Sequence, residues 1–538
     1  MAADSKSAIP AFEHTPLDEI PAKVDRLRAT FRTGRTKDIQ FRIVQLRKLY
    51  WGILDNTHLI EESLMRDLHK CQFEATLSEI DWCKRECMDM INNIEKWAKD
   101  ESVVNVPLEF KIMGHRIRNE PLGVVLAIGS YNYPFQLNLT PLIGAIAAGN
   151  CVVLKASEAS PYSAMVLKKL FDECLDPECY TYVNGAVPET QLLLEQKFDK
   201  IAFTGGKAIG KIVAQKAAET LTPVLLELGG QNPAFVTKSA NLKMAARRLL
   251  WQKVLNAGQV CISHNYILVE RSVLSEFLGE LNNQLRVFMP KGAKESPDYA
   301  RLVNKRHFDR VKKMIDSSKG KIVLGGSMDE SDFFMEPTAV LVDDIQDSMM
   351  VEESFGPVFS IMAFDTLDQA IDIANKVDPT PLALFSFGTD AESEKVLSSV
   401  TSGGATINDS FFHNQIPQSP MGGVGQSGMG SYHGYYSFKT FSHQRTIAKP
   451  PYWADSLIRV RYMPYSWPHL KRLHAMNSVN PNFDRNGARV KGLKYYLGLI
   501  LSLGGKSSKS ALLRWAVLAI AAAVLGAKNG SLNQWLAK

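Results

Sequence analysis

The sequence predicts an α/β fold on mostly parallel sheets, and three observations lead there. From residue 122 onward, strand-length apolar runs alternate with helix-length segments. Strands separated by helices pair in parallel and need cover on both faces. Residues 230–430 then repeat the alternation with different residues, which predicts a second domain of the same class.

The elements follow in order. Residues 17–101 read as helices: Ile43, Leu46, Tyr50, Ile53 and Leu54 recur at three- and four-residue spacing among charges. Residues 106–121 (VPLEFKIMGHRIRNEP) alternate and predict a hairpin. GVVLAIGSYNYP is a buried strand ending in a turn, and TPLIGAIAAGN a helix closed by Gly149. CVVLKASEASP is again a strand, with a helix after it. KIAFTGG is a strand ending in glycines, KAIGKIVAQKAAE a helix, and PVLLELGGQNPAFV strand-rich. Residues 431–447 predict a strand leaving the second domain.

Composition sets outer limits. The 538 residues are 45% hydrophobic and 22% charged, as ordinary globular chains are. The seven cysteines are odd in number and scattered, which fits a reducing compartment rather than a disulfide framework. Cys83 and Cys87 share a helix face, but no second Cys/His pair follows at zinc spacing, so packed thiols are expected. The N-terminus has neither an apolar core nor an Arg-rich character, so no signal or transit peptide is expected. Residues 448–538 hold 14 Lys and Arg against 2 Asp and Glu, a charge of +12, and the preceding residues carry −6. That basic end beside apolar stretches points to an anionic membrane surface. No nucleic-acid-binding motif accompanies it, so no nucleic acid is expected as partner.

Several short segments carry chemical potential. VLNAGQVCIS sets Cys261 among small residues that leave room for an incoming carbonyl, although a packed core thiol reads the same way. LLELGGQNP sets Glu227 at a strand end before two glycines, where desolvation would raise its pKa toward that of a useful base. A salt-bridged strand-end acid is the alternative. GSYNYPFQ sets Asn132 in a turn, where its amide suits either an Asx-turn or an oxyanion. FTGGKAIG puts Gly205, Gly206 and Gly210 between a strand and a helix, a junction that offers free N–H groups to a pyrophosphate without the GxGxxG spacing. VLKASE puts Lys155 and Glu158 past a strand end, within reach of ribose hydroxyls or simply in solvent.

Together SYNYP, VLKASE, FTGGKAIG, LELGG, NAGQVC, EESFGP and MGGVGQSGMGSYHG, in this order over about residues 20–450, resemble the aldehyde dehydrogenase superfamily. The 34-residue interval from Glu227 to Cys261 is the superfamily's usual one. The ending GMGSYHGYYSFKTFSHQRTI resembles its class 3 branch, which includes fatty aldehyde dehydrogenases with a C-terminal membrane segment and fungal members acting on hexadecenal or β-apo-4′-carotenal.

The resemblance implies two Rossmann-like parallel-sheet domains, a small β bridging element and a C-terminal hydrophobic extension. The expected boundaries are 1–228 for N-terminal helices and the NAD(P)-binding domain, 229–430 for the catalytic domain, 431–450 for the bridging strand and 451–538 for the extension. It implies Cys261 as nucleophile, Glu227 as water-activating base, and the Asn132 side chain with the Cys261 N–H as oxyanion donors. Lys155 and Glu158 would bind the adenosine ribose, Gly205 and Gly206 would flank the pyrophosphate with Gly210 in the same turn, Glu353 would bind the nicotinamide ribose, and Phe355 would pack by the nicotinamide. NAD or NADP is the implied cofactor, with Glu158 favouring NAD, and no metal is implied. The product is the carboxylate of a long apolar aldehyde. A homodimer is implied, with its interface expected near 106–121 and 431–447. Gln231 departs from the lysine many relatives carry and is expected to bear on the surroundings of Glu227. A CoA-acylating relative would not need Glu227, and a silent membrane-bound scaffold would not need every catalytic position filled.

Two apolar stretches, Tyr495–Leu503 and Trp515–Ala527, lie in the basic extension. The second has 13 residues, short of the roughly 20 that span a bilayer. Lys491 and Lys494 precede the first, and Lys506, Lys509 and Arg514 lead into the second. The pattern predicts a short tail anchor or a monotopic hairpin on the cytosolic face of the endoplasmic reticulum, the outer mitochondrial membrane or a lipid droplet, with a pair of helices packing on the catalytic body or at a dimer interface as the alternative.

Overall fold

The computed structural model describes residues 9–477, 481–490, 492–503 and 508–528. It forms two compact units, Met1–Ala448 and Lys449–Lys538.

The first unit opens with helices Glu19–Arg32, Ile39–Asp55, Thr57–Leu68 and Asp81–Trp97. The Asp38 side chain accepts from the Gln40 N–H and so caps the second of these. Ile43, Leu46 and Ile53 are buried along it, whereas Leu54 is exposed. Cys83 and Cys87 are buried free thiols on the Asp81–Trp97 helix, which packs on it.

A six-stranded sheet follows, in the order Gly428–Met429, Val224–Leu228, Lys200–Gly205, Val124–Ile128, Cys151–Lys155, Tyr180–Val183. Every pairing is parallel except that of Gly428–Met429. Helix Gln136–Ala148 is buried on all sides and ends at Gly149, whose φ of 93° satisfies a left-handed C-terminal turn. A seven-stranded sheet carries Lys321–Leu324, Thr338–Leu341, Val358–Phe364, His264–Glu270, Asn232–Val236, Ala383–Phe387 and Gly404–Ile407, in that order. Only Lys321–Leu324 is antiparallel there. In both sheets the carboxyl ends of the parallel strands gather on one side, where open α/β sheets bind ligands.

Two expected elements differ. The hairpin over 106–121 is a 3₁₀ turn, Leu108–Met113, before a single strand, Arg116–Pro121. Pro107 lacks an N–H for a ladder, and Gly114 turns the chain at φ 59°. That strand pairs with Glu101–Ser102 on one side and Ser442–Ile447 on the other, both antiparallel. The strand expected over 431–447 begins only at Ser442, because Tyr435–Thr440 is helical. This helix lies so close to Gln136–Ala148 that a Cβ on Gly144 would sit 2.6 Å from the Ser437 Cβ. Tertiary packing overrides an aromatic run that looks extended.

In the second unit, helices Trp467–Asn477, Leu493–Ser502 and Ser508–Lys528 cover both apolar stretches. The Trp515 indole N–H donates to the Leu501 carbonyl at 2.6 Å, and Arg514 donates to Leu503 at 2.7 Å. Ile500, Leu501, Leu512, Leu513 and Ile520 are exposed. Lys491 and Lys506 lie outside the described residues. Among the described residues, no helix is long and apolar enough to cross a membrane.

Candidate active site

Helix Leu242–Val254 runs into a tight turn in which Asn256, Ala257 and Gly258 all have positive φ (50°, 48° and 69°). Left-handed backbone is strained for the first two, so surrounding contacts must hold the turn. Gly258 admits no substitute, since a Cβ would lie 2.1 Å from the Gly356 carbonyl oxygen. The turn delivers Cys261, half-buried, to the start of strand His264–Glu270.

Cys261 lines two cavities. One, of about 230 Å³, also holds Asn132, Glu227, Gly205, Gly206, Glu353 and Phe355. The other, of about 120 Å³, is walled chiefly by Trp82, Tyr133, Leu137, Trp251, Phe411 and Met421. Burial, and then the charges of Glu227 and Glu353, push the thiol up to about 12, while the N–H groups of Ile262 and Cys261 partly offset this. At neutral pH the sulfur therefore carries its proton.

Glu227 sits at the carboxyl end of Val224–Leu228, opposite Thr204 in the neighbouring strand. It is 5% exposed, and neither carboxylate oxygen has a hydrogen-bond partner. Burial alone raises its pKa to about 8. No hydrogen bond joins Gln231 to it. The Gln231 side-chain oxygen accepts from Asn265 at 2.9 Å, and its N–H donates to Asp378 at 3.1 Å. Asn265 in turn accepts the Ser354 N–H at 2.8 Å, so Gln231 supports the loop bearing Glu353 instead.

The Asn132 amide is oriented by donation from Nδ2 to the Gln259 carbonyl at 3.0 Å. The same carboxamide has one more N–H to offer.

Helix Lys207–Glu219 begins at Gly206 with no side-chain cap, and a Cβ on Gly206 would meet nothing within 4 Å. A free first turn beside open backbone suits a pyrophosphate. A Cβ on Gly229 would lie 2.1 Å from Glu353 Oε2, so glycine lets that carboxylate lie over the turn. Glu353 is raised to about 7 by burial, against the pull of Lys207 and Arg310. A nicotinamide dinucleotide therefore fits these groups: N–H donors for phosphate, Glu353 for a ribose, and Phe355, held at φ 42°, as an apolar wall.

Three expected residues lie off this cavity's lining. Lys155 and Glu158, at the end of Cys151–Lys155, are joined by an ion pair at 3.0 Å. Gly210 lies inside its helix, where a Cβ would strike Leu228 at 2.5 Å, so it serves close helix-to-strand packing.

The structure adds residues the motifs did not point to. Arg310 donates to the carbonyls of Glu353 and Ser354 at 3.0 and 2.5 Å and so fixes the Glu353 loop. His307 borders the cavity within 3.3 Å of the Tyr131 hydroxyl, and burial holds it near 4, in its neutral form. Lys253, fully buried, reaches the Gly356 carbonyl at 3.3 Å, and burial lowers it to about 7. None of these stands in a short motif, so spacing could not find them.

A family model described as the aldehyde dehydrogenase family matches residues 5–447. Beta-apo-4'-carotenal oxygenase of Gibberella fujikuroi is 72% identical, over the full length of both chains. The Neurospora crassa protein of the same name is 53% identical over 96% of this chain and 97% of its own. Among solved structures, a substrate-bound state of Staphylococcus aureus AldH aligns with a TM-score of 0.83 at 38% identity, covering 85% of this chain and 99% of that one.

Proposed function

The chain belongs to the aldehyde dehydrogenase family, and from that premise we propose that it oxidises a long apolar aldehyde, a fatty aldehyde or an apocarotenal such as β-apo-4′-carotenal, to the acid. It is an NAD(P)-dependent oxidoreductase. The observation that carries the mechanism is that Cys261 borders both the dinucleotide-type cavity and the apolar one.

In this reading, the residues 1–228 hold the dinucleotide and residues 229–430 present the thiol. Cys261 gives its thiol proton to solvent water, and the Sγ lone pair bonds to the aldehyde carbon while the carbonyl π pair becomes the oxyanion. The oxyanion takes hydrogen bonds from Asn132 Nδ2 and the Cys261 N–H. When bound, the oxidised dinucleotide supplies a hydride acceptor and a positive charge. Loss of hydride leaves a thioester on Cys261. Glu227 then takes a proton from water, which attacks the thioester carbon and expels the thiolate. Glu227 suits this role better than Glu353, because both its oxygens are unpartnered, whereas Glu353 is engaged by the Gly230 N–H. NAD is favoured, as Glu158 would oppose a 2′-phosphate, with Lys155 and Glu158 at the adenosine ribose.

The aromatic and aliphatic walls of the cavity lined by Trp82, Trp251 and Phe411 support an apolar substrate. Each buried CH₂ contributes about 0.8 kcal/mol, so kcat/KM for hexadecanal or an apocarotenal is expected to exceed that for acetaldehyde by on the order of 10²-fold or more. A preference for acetaldehyde would refute the assignment. Adding CoA is expected to leave the free acid as product.

The exposed apolar side chains of the two C-terminal helices, with Arg514 within the second, support attachment to an anionic membrane surface. The strand Ser442–Ile447, an edge of its sheet, supports a homodimer. Deleting residues 490–538 is expected to move the enzyme from the membrane to the soluble fraction as a dimer by light scattering. A wholly soluble full-length protein, or a monomeric truncated one, would contradict these points.

A further inference from the structure

Lys70 and Glu79 are completely buried and 2.7 Å apart. Glu79 Oε2 accepts the N–H groups of Phe135 and Gln136, at 3.0 and 2.9 Å, where helix Gln136–Ala148 begins. Lys70 Nζ donates to the Asn132 carbonyl at 3.1 Å and stands 4.1 Å from the centre of the Tyr133 ring. The pair thus grips the segment 132–136 at both ends. The same Asn132 carbonyl accepts from Asn256 Nδ2 at 2.8 Å, and the Asn256 N–H donates to Glu74 at 2.9 Å. Asn256 is the first left-handed residue of the turn that delivers Cys261. The oxyanion amide and the thiol loop are therefore referenced to one buried ammonium.

A neutral side chain could cap that helix start without any buried charge. Lys70 balances the Glu79 carboxylate, and the further bond from its ammonium to the Asn132 carbonyl calls for a separate reason. We propose that Lys70 is a positioning residue for the oxyanion amide, holding the Asn132 backbone so that its side chain stays in register with Cys261. This rests on the assignment of Asn132 as oxyanion donor.

The test uses the full-length enzyme with NAD and a long-chain aldehyde, with rates expressed per titrated Cys261 thiol. K70M alone strands a buried carboxylate and so puts folding itself at risk, and the informative variant is K70M/E79Q, which removes both charges at similar volume. A displacement of about 1 Å costs up to about 10²-fold, so kcat of K70M/E79Q is expected to fall about 10- to 100-fold, with both KM values within about 3-fold. N132A is expected to fall about 10²- to 10³-fold. The triple variant K70M/E79Q/N132A is expected to be no more than about 3-fold slower than N132A, since a lost amide cannot be misplaced. A pair that only stabilises the fold would lower the active fraction and leave kcat per thiol unchanged. Wild-type kcat in K70M/E79Q, or losses that multiply in the triple variant, overturns the proposal. Wild-type kcat in N132A would instead remove the assignment beneath it.

Discussion

Replacing Cys261 by alanine is expected to abolish NADH formation with every aldehyde the wild type oxidises, a loss on the order of 10⁴-fold or more, because removing a covalent nucleophile removes the pathway. No other thiol stands ready to replace it. Cys71, Cys83, Cys87, Cys151 and Cys179 are buried, and Cys174 packs against Gly52 in the helical layer. Dinucleotide affinity is expected to hold within about 3-fold, since the residues suited to phosphate and ribose are untouched. Fluorescence titration of NADH alongside the rate assay separates the two. Residual turnover above about one per cent of wild type would mean hydride transfer from a free aldehyde hydrate, without a thiohemiacetal.

Glu227→Gln carries the second-largest expectation. General-base catalysis by a positioned carboxylate contributes about 10²- to 10⁴-fold, so steady-state kcat is expected to fall by that order. The loss should sit in deacylation. Rapid mixing should still give a burst of about one NADH per active site, since carbonyl attack and hydride loss precede the water step. A loss with no burst would move Glu227 to thiol activation.

The pH dependence follows from the buried carboxyl. Its pKa is raised to about 8, so it is protonated, and useless as a base, below that pH. Wild-type kcat should rise with pH and level off above about 8 where deacylation limits turnover. That rising limb should flatten in E227Q.

Much of the chemistry was legible in the sequence because Cys261, Glu227 and Asn132 each stand in a short segment that also sets local backbone. Glycines follow Glu227 and precede Cys261, and a proline follows Asn132. The chain must turn at those places whatever packs around it, so the strand-end location could be read directly. The cofactor side was read less evenly. Gly205 and Gly206 reach the cavity, while Gly210, in the same run, answers to Leu228. A glycine that admits a ligand and one that admits a neighbouring side chain look alike in one dimension.

Lys70 and Glu79 mark the other limit. Both stand in the stretch read as helices, and no motif or spacing sets them apart. They are buried only because the chain returns, some sixty residues later, with the Asn132 carbonyl and two helix-starting N–H groups as partners. The 431–447 segment failed for the same kind of reason. Its aromatics favour a strand until Gly144 offers a groove shallow enough for a helix.

The chemistry reduces to a thioester on one sulfur, released by one carboxylate. Mass spectrometry of E227Q, quenched in acid after mixing with NAD and an aldehyde it oxidises, tests this most directly. An acyl adduct, of the aldehyde's mass less one hydride and one proton, is expected on the peptide containing Cys261. An adduct on a different residue, or acid produced with Cys261 never modified, would contradict it.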